Sequence, residues 1–209
     1  MAAPAPKRAM TYAEFLEHEA TSEIKHAFHD GEIFSMAGGT IAHGTVGGEA
    51  FLQLSLLLRG SPCGCRAFNS DIRVSPSEDH AMYPDVTVAC PPFATTAWDD
   101  AALAEPVLLV EVLSPSTFDW DLGGKFELYK GFASLKHYLV LHPDAWRVQH
   151  RVRQPSGAWL VEDHGPDDVI ALAALGIEIS VAALYADLVA QGGPTREAIP
   201  VIVGPSRMR

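Results

Sequence analysis

Basic residues are scarce in this sequence. Its 209 residues include 15 lysines and arginines against 26 aspartates and glutamates, which gives a formal net charge of −11. A protein that binds nucleic acid broadly and without sequence preference usually carries a basic domain or stripe, and this composition argues against one. A role with nucleic acid therefore requires the few basic side chains to be concentrated around one groove.

The sequence is also poor in cysteine and in long apolar runs. Cys63, Cys65 and Cys90 are an odd number without the spacing of a disulfide framework, so we expect reduced thiols in a cytoplasmic protein. No stretch approaches the roughly 20 apolar residues of a membrane span, and the N-terminus lacks the apolar run of a secretory signal, so we expect no membrane partner. Hydrophobic residues still make up 48% of the chain, which is enough for a sizeable core.

Helical and strand-like patterns alternate along the chain. A capping box that begins at Thr11 predicts a short helix, an apolar stripe predicts a second helix over 41–59, and the turn signal Asp30–Gly31 predicts a hairpin. Further patterns predict strands over 66–74, 83–90, 107–113, 137–141, 146–153 and 158–162, and helices over 119–132 and from Ser180 onward.

The order of these elements predicts one domain of the α/β (α+β mixed) class, in which helices flank a central sheet. The chain length suits one domain with short extensions. We expect a flexible N-terminal tail over residues 1–10, the domain over 11–190 and a C-terminal extension over 191–209.

One acidic residue stands inside an aliphatic strand. Six of the seven residues from Val107 to Leu113 are aliphatic, and the seventh is Glu111. A strand of this composition is typically buried on both faces, where an unpaired carboxylate is strongly destabilising. Glu111 is therefore expected either to form a buried ion pair with a lysine or arginine or to bind a cation.

A second carboxylate, Asp85, begins the strand-like run over 83–90. If that strand neighbours the strand of Glu111, the two carboxylates converge near the end of the sheet. They would repel each other unless a cation lies between them or one is protonated, and oxygen ligands of this kind suit Mg²⁺ or Mn²⁺. The alternative is that Pro84–Asp85 only begins a strand.

The third element is a polar edge on the following helix. Asp121, Lys125 and Tyr129 are four residues apart and so share one helix face. A lysine ammonium aimed at the two carboxylates would orient a water or offset charge in a phosphoryl transition state. The alternative is a solvated lysine paired with Asp121. Four histidines lack metal-ligand spacing on one element and are interpreted as structural or exposed: His43, His137, His142 and His150.

These residues resemble a known nuclease pattern. Pro84–Asp85, Glu111 about 25 residues later and Lys125 in the next helix resemble the PD-(D/E)xK superfamily. More closely, the chain is similar to the Uma2 family, also called the domain of unknown function 820, over roughly residues 11–190. The most specific match is Glu-Val-Leu-Ser-Pro-Ser-Thr from Glu111 onward with Asp121 and Lys125. The other matching pieces are Asp30–Glu32 with Met36, His43, Ser70–Val74, Tyr83–Val86 and Tyr138–Pro143.

The resemblance implies a restriction-endonuclease-like core with a mixed central sheet and a divalent metal, Mg²⁺ or Mn²⁺, at one edge. It implies that Asp85, Glu111 and the main-chain carbonyl of Val112 bind the metal. Lys125 takes the catalytic lysine role from the helix, because the usual place of that lysine, two residues after the glutamate, is Leu113 here.

The chain departs from the family at a second position. Many relatives carry a glutamate three residues before the Asp-Gly turn, where this sequence has Ala27. In those relatives the glutamate contributes to the metal site. The acidic residues that are candidates to replace it here are Glu23, Glu32 and Asp71.

Three functions are compatible with the sequence, and the third is the weakest. The first is a metal-dependent endonuclease, a hydrolase of DNA phosphodiester bonds, which binds its substrate weakly because the protein is acidic. The alternative is a nuclease-fold module with weak or no catalysis that binds protein or nucleic acid or forms a homodimer. A carboxylate-pair glycosidase is a third reading, although the sequence near Asp85 and Glu111 offers no aromatic platform for a sugar.

Overall fold

The computed structural model describes residues 8–36, 38–114 and 123–190. Residues 1–7 of the predicted N-terminal tail and the predicted C-terminal extension over 191–209 lie outside this part of the chain. The helices are α1 (Tyr12–Glu19), α2 (Ile41–Gly60), α3 (Lys125–Tyr129), α4 (Val181–Leu184) and α5 (Ala186–Ala190). The strands are β1 (His26–His29), β2 (Glu32–Ser35), β3 (Arg66–Asn69), β4 (Arg73–Ser77), β5 (His80–Met82), β6 (Val86–Ala89), β7 (Ala102–Leu103), β8 (Pro106–Val112), β9 (His137–Leu141), β10 (Val148–Arg153), β11 (Trp159–His164), β12 (Val169–Leu172) and β13 (Ile177–Ser180).

Two larger sheets organise the fold. One has five strands in the order β2-β1-β5-β4-β7, and the other has six in the order β11-β10-β9-β8-β6-β3. Most pairs are antiparallel, but β8 and β9 are parallel, which requires a crossover connection, and α3 lies in it. The six-stranded sheet is therefore mixed and has helices on its faces, as the sequence predicted.

Alternation along β8 divides the core into two layers. Val110 and Val112 point to the apolar cluster that contains α2 and the C-terminal helices. Leu109 points to the opposite cluster, which contains Tyr129 of α3. Because side chains alternate along a strand, Glu111 lies on the α3 side of the sheet.

The predicted starts of three helices are confirmed, at Thr11, Ile41 and Ser180. Of the helix predicted over 119–132, residues 119–122 lie outside the described part of the chain, and the α-helix in the rest is α3. The Thr11 side chain accepts a hydrogen bond from the N–H of Glu14, and the Glu14 carboxylate accepts one from the N–H of Thr11, which completes the capping box of α1. Phe15 of α1 then stacks on Phe28 of β1, with ring centroids 5.1 Å apart. This contact fixes α1 against the hairpin that β1 and β2 form around Asp30–Gly31.

The run over 66–74, predicted as one strand, is two strands in different sheets. Asn69 ends β3 and its side-chain oxygen accepts a hydrogen bond from the N–H of Asp71 at 3.2 Å. This local side-chain turn reverses the chain before β4 begins, and it overrides the alternating pattern. The pattern also missed four short strands, β5, β7, β12 and β13.

The expectation of reduced thiols is wrong for two of the three cysteines. Cys65 and Cys90 form a disulfide, and Cys63 is free and half-buried. The antiparallel register pairs Arg66 with Ala89, so that Cys65 and Cys90 face each other one step outside the ladder. Sequence spacing alone could not show this register. Among the described residues, no helix is both long and apolar enough to cross a bilayer.

Candidate active site

The six-stranded sheet places Asp85 beside Glu111. Strand β6 runs antiparallel to β8, with Val86 opposite Val110, so the predicted neighbourhood of the two strands is confirmed. Continuing that register by one residue places Asp85 level with Glu111. Asp85 precedes β6, and its Oδ2 accepts a hydrogen bond of 2.7 Å from the main-chain N–H of Val112. This bond fixes the Asp85 carboxylate at the end of β8.

Glu111 is buried and held by two side chains of α3. Its side chain is 3% exposed; Lys125 Nζ lies 3.0 Å from its Oε2, and the Tyr129 hydroxyl donates a hydrogen bond of 2.6 Å to its Oε1. Lys125 and Tyr129 share a helix face because they are four residues apart. The ammonium group offsets the charge that burial would otherwise penalise.

This arrangement confirms the expectation that the acid in the aliphatic strand has a cationic partner. The partner is the lysine that the nuclease resemblance selected. A carboxylate offers roughly four acceptor positions, so bonds from Lys125 and Tyr129 are compatible with further ligation of Glu111. An ion pair and a metal site are thus both consistent with this geometry.

A histidine that the spacing argument set aside lies at Asp85. His43 Nε2 is 3.5 Å from Asp85 Oδ2, and the two side chains are 21% and 20% exposed. His43 is in the first turn of α2, where its N–H donates to the Oγ1 of the N-cap residue Thr40. Metal-ligand spacing within one element could not find this contact, because it joins a helix to a strand far away in the sequence. The only sequence signal for it was the match of His43 to the family pattern.

The other three histidines interpreted as structural or exposed lie in β9 and β10 or directly after β9. His137 and His150 are 2% and 1% exposed, and they face each other across β9 and β10, with Nδ1 of His137 2.9 Å from Nε2 of His150. His142 follows β9, and burial lowers its pKa. The structural interpretation of the buried pair is therefore confirmed.

The other positions named from the sequence are Asp121, Val112, Ala27 and Leu113. Asp121 lies outside the described residues. Val112 contacts Asp85 through its N–H, and its carbonyl stays a predicted ligand. Ala27 lies in β1 opposite Phe34. Leu113 packs in the apolar cluster on the α3 side.

The three acids named as substitutes for a glutamate at position 27 have different surroundings. Asp71 forms an ion pair with Lys25, and the hydrogen bonds from Lys25 and Asn69 lower the pKa of its carboxyl. Glu32 is exposed at the start of β2, and Glu23 is exposed at the rim of a cleft beside α1. Asp71 is thus already engaged with a cation.

Replacing Tyr129 with phenylalanine tests how much its hydroxyl contributes to holding Glu111. A hydrogen bond to a charged group stabilises the folded state by roughly 1.5–3 kcal/mol, and we expect Tyr129→Phe to lose about that much free energy of unfolding. Urea denaturation followed by circular dichroism measures it. An unchanged free energy of unfolding in Tyr129→Phe would contradict the assignment.

The sequence matches one protein family over most of its length. The family model Uma2, described as "Putative restriction endonuclease", matches residues 12–182. The uncharacterized protein slr1290 of Synechocystis sp. is 31% identical over 189 residues, which cover 89% of this chain and 95% of that protein. The uncharacterized protein sll1609 of the same organism is 30% identical over 160 residues, 76% of this chain and 89% of that protein.

A solved structure has the same fold. It is the crystal structure of "a putative nuclease belonging to DUF820" from Anabaena variabilis, with a TM-score of 0.66, 19% sequence identity, and coverage of 85% of this chain and 98% of that chain. At this identity the likeness concerns the fold alone. The fold class expected from the sequence is thereby confirmed.

Proposed function

Because this chain belongs to the Uma2 family, we propose that it is a divalent-metal-dependent endonuclease that hydrolyses DNA phosphodiester bonds. The observation that carries the proposal is the contact of Lys125 with the buried Glu111, beside Asp85 at the ends of two paired strands. A carboxylate pair with an adjacent lysine is the set that metal-assisted phosphoryl chemistry uses.

The proposed metal is Mg²⁺ or Mn²⁺, and the donor set fits it. Asp85, Glu111 and the Val112 carbonyl would offer oxygen atoms only, which both cations prefer, while water would complete the coordination. When bound, such a cation lowers the pKa of a water ligand and polarises the scissile phosphate.

The protein's own groups would position the reactants. The Lys125 ammonium orients the attacking water and offsets the negative charge that develops on the phosphoryl oxygens. Tyr129 holds Glu111 in one orientation through the hydrogen bond to Oε1. The Val112 N–H and His43 both contact Oδ2 of the Asp85 carboxylate and so restrict its orientation. We infer that His43 is a positioning residue for Asp85.

The substrate would bind weakly. The formal charge of −11 repels a polyanion over most of the surface, and only the neighbourhood of a bound cation attracts phosphate. We therefore expect transient binding of DNA.

Cleavage of supercoiled plasmid with Mg²⁺ or Mn²⁺ tests the proposal, and Lys125 gives the sharpest comparison. Removing one preorganised donor to a transition state typically slows a reaction about 10²–10³-fold, so we expect Lys125→Met to lose nicking activity by roughly that factor. Lys125→Arg keeps the positive charge and is expected to retain part of the nicking activity. Chelation by EDTA is expected to stop the parent reaction.

Lys130→Met is the matched control for this experiment. Lys130 follows α3 directly and forms an ion pair with Glu127 on the protein surface, so its loss should leave the nicking rate unchanged. Equal rates for the parent and Lys125→Met would contradict the catalytic role of Lys125.

The alternative function is a nuclease-fold module without catalysis that binds a protein or nucleic acid or forms a homodimer. Two observations favour it: Ala27 replaces an acid that many relatives carry, and Glu111 already has a cationic partner. This alternative predicts no uptake of Mn²⁺ in calorimetry. Uptake by the parent protein that is lost in Asp85→Asn would favour the nuclease.

A further inference from the structure

A second group of metal-ligating side chains lies away from Glu111, where α1 ends and β1 begins. His18, Glu19 and His26 each offer one ligand atom, and these atoms lie within 4.8 Å of one another. We propose that these three residues bind a Zn²⁺ ion in a site separate from the candidate active site.

The local chain path brings the three residues together. His18 and Glu19 occupy the last turn of α1, and the chain then turns back, with the N–H groups of Thr21 and Ser22 both donating to the carbonyl of His18. His26 is the first residue of β1. Two ligands from the end of a helix and one from the following strand are therefore held by elements that pack on each other.

The cluster is partly buried and contains a polar atom that has no hydrogen-bond partner among the described residues. The side chains of Glu19 and His26 are each 9% exposed, and His26 Nδ1 lies 2.7 Å from Glu19 Oε1. His18 packs edge-on against His26, and its Nε2 is shielded from water and has no hydrogen-bond partner in the described part of the chain. Leaving such a nitrogen unsatisfied costs about 1–3 kcal/mol. A metal ion held between the three residues would satisfy it.

A network of outer contacts supports the proposed carboxylate ligand. Tyr83 donates a hydrogen bond of 3.1 Å to Glu19 Oε2, the oxygen that His26 does not contact. The Tyr83 hydroxyl in turn accepts from Arg73, and Arg73 forms two bonds of 2.9 Å to Asp99. Ligating carboxylates in metal sites are typically oriented by such partners, and their removal weakens metal binding.

The donor set selects the type of metal. Two imidazole nitrogens and one carboxylate oxygen suit Zn²⁺, and three protein ligands leave a fourth position for water. Glu19 also lines a cleft of about 430 Å³ together with Arg73 and Tyr83. Solvent in this cleft reaches the carboxylate side of the proposed site. Because two of its three ligand atoms are nitrogens, the proposed zinc site differs from the all-oxygen donor set at Asp85 and Glu111.

In the described part of the chain, two other groups of histidines and acids bring their ligand atoms equally close together, and they serve as controls. In the group of His29, Asp30 and His80 the acid is exposed at the hairpin turn. In the group of His150, Glu162 and His164 the acid is 46% exposed, and His150 is already bonded to His137. The group at α1 is the one in which the acid is buried and has a second hydrogen-bonded partner.

Zinc titration of the full-length protein tests the proposal. After treatment with EDTA and its removal, the protein is titrated with Zn²⁺ in competition with a chromogenic chelator, and with Co²⁺ by visible absorption. We expect one Zn²⁺ ion to bind tightly to each protein chain. We expect bound Co²⁺ to give the intense visible absorption of tetrahedral cobalt. Tyr83→Phe removes a residue that orients a ligand, so it should lower the affinity for zinc by roughly 10- to 100-fold. His18→Gln and His26→Gln each remove a ligand, so each should lower the affinity by more than that.

Control variants separate this site from the others and from the proposed nuclease function. His29→Gln and His164→Gln, checked like the test variants for an unchanged circular dichroism spectrum, should keep the tightly bound Zn²⁺ ion. Asp85→Asn should also keep it, whatever its effect on DNA cleavage. The proposal is overturned if the parent binds no zinc, if His18→Gln and His26→Gln bind it as the parent does, or if His164→Gln or Asp85→Asn abolishes binding.

Discussion

Replacing Glu111 with glutamine is expected to abolish metal-dependent nicking of plasmid DNA. Glutamine keeps the size of the side chain, but it removes the negative charge that a divalent cation requires and that holds the Lys125 ammonium at 3.0 Å. The Glu111 carboxylate is proposed both to bind the cation and to hold Lys125, so we expect the nicking rate to fall by about 100-fold or more. This loss exceeds the typical effect of removing a residue that only orients a metal ligand. Nicking rates under excess protein measure this loss.

The same substitution should destabilise the fold, and this effect must be separated from catalysis. Breaking a buried ion pair by removing one partner costs about 3–5 kcal/mol, because the other charge loses its counter-charge. Replacing both partners with apolar groups is often neutral. The double variant Glu111→Leu with Lys125→Met is therefore expected to recover most of the free energy of unfolding while remaining inactive.

This pair of measurements distinguishes an ion pair that only stabilises the sheet from one that takes part in chemistry. Lys130→Met serves as the control for helix α3, since its surface ion pair with Glu127 contributes at most about 1 kcal/mol. Nicking by the stable double variant at the parent rate would refute the catalytic role of Glu111. Such activity would have to come from another part of the protein or from a contaminant.

Part of the candidate site could be predicted from the sequence of the strand that contains Glu111. An acid among six aliphatic residues demands a partner on physical grounds, and the helix period that pairs Lys125 with Tyr129 is local information. Both features can be read without a structure. The adjacency of β6 and β8 was stated as a condition, because the pairing of strands depends on the whole fold.

Contacts between distant elements were the part that the sequence could not supply. His43 of helix α2 contacts Asp85, which precedes strand β6. Cys65 faces Cys90 because of the register between β3 and β6. Spacing rules detect ligands on one element, whereas these pairs are set by sheet register and helix packing. The turn at Asn69 was missed for a different reason: a side-chain hydrogen bond competed locally with the strand pattern.

Acidification below pH 7 is expected to destabilise the protein through two buried histidines. Burial lowers the pKa of His137 to about 4, and burial together with the neighbouring histidines lowers that of His150 to about 3. The hydrogen bonds of His137 and His150 are consistent with both imidazole rings being neutral. The N–H of Ala174 donates to His137 Nε2, so the proton of His137 is on Nδ1, and it is donated to Nε2 of His150.

The direction of the effect follows from proton binding. In the unfolded chain both histidines have a pKa of about 6.5, so below that pH the unfolded state binds protons that the folded state does not. The stabilisation is therefore fully present above about pH 6.5 and is lost as the pH falls toward the two lowered values. Each histidine contributes a slope of up to about 1.4 kcal/mol per pH unit. Between about pH 6.5 and 4.5 the pair should cost on the order of 4–5 kcal/mol, which is a large share of the roughly 5–15 kcal/mol that stabilises a typical domain.

Urea denaturation across this pH range tests the assignment to the histidine pair. The double variant His137→Gln with His150→Gln should be less stable at neutral pH, because the rings lose their packing, but its stability should vary much less with pH. His43→Gln should keep the slope of the parent. Carboxyl groups such as Asp99, whose pKa is lowered by its hydrogen bonds with Arg73, contribute mainly near and below their ordinary value of 3.8, so they add little slope over most of this window. An unchanged slope in the double variant would therefore show that the acid sensitivity arises elsewhere in the protein.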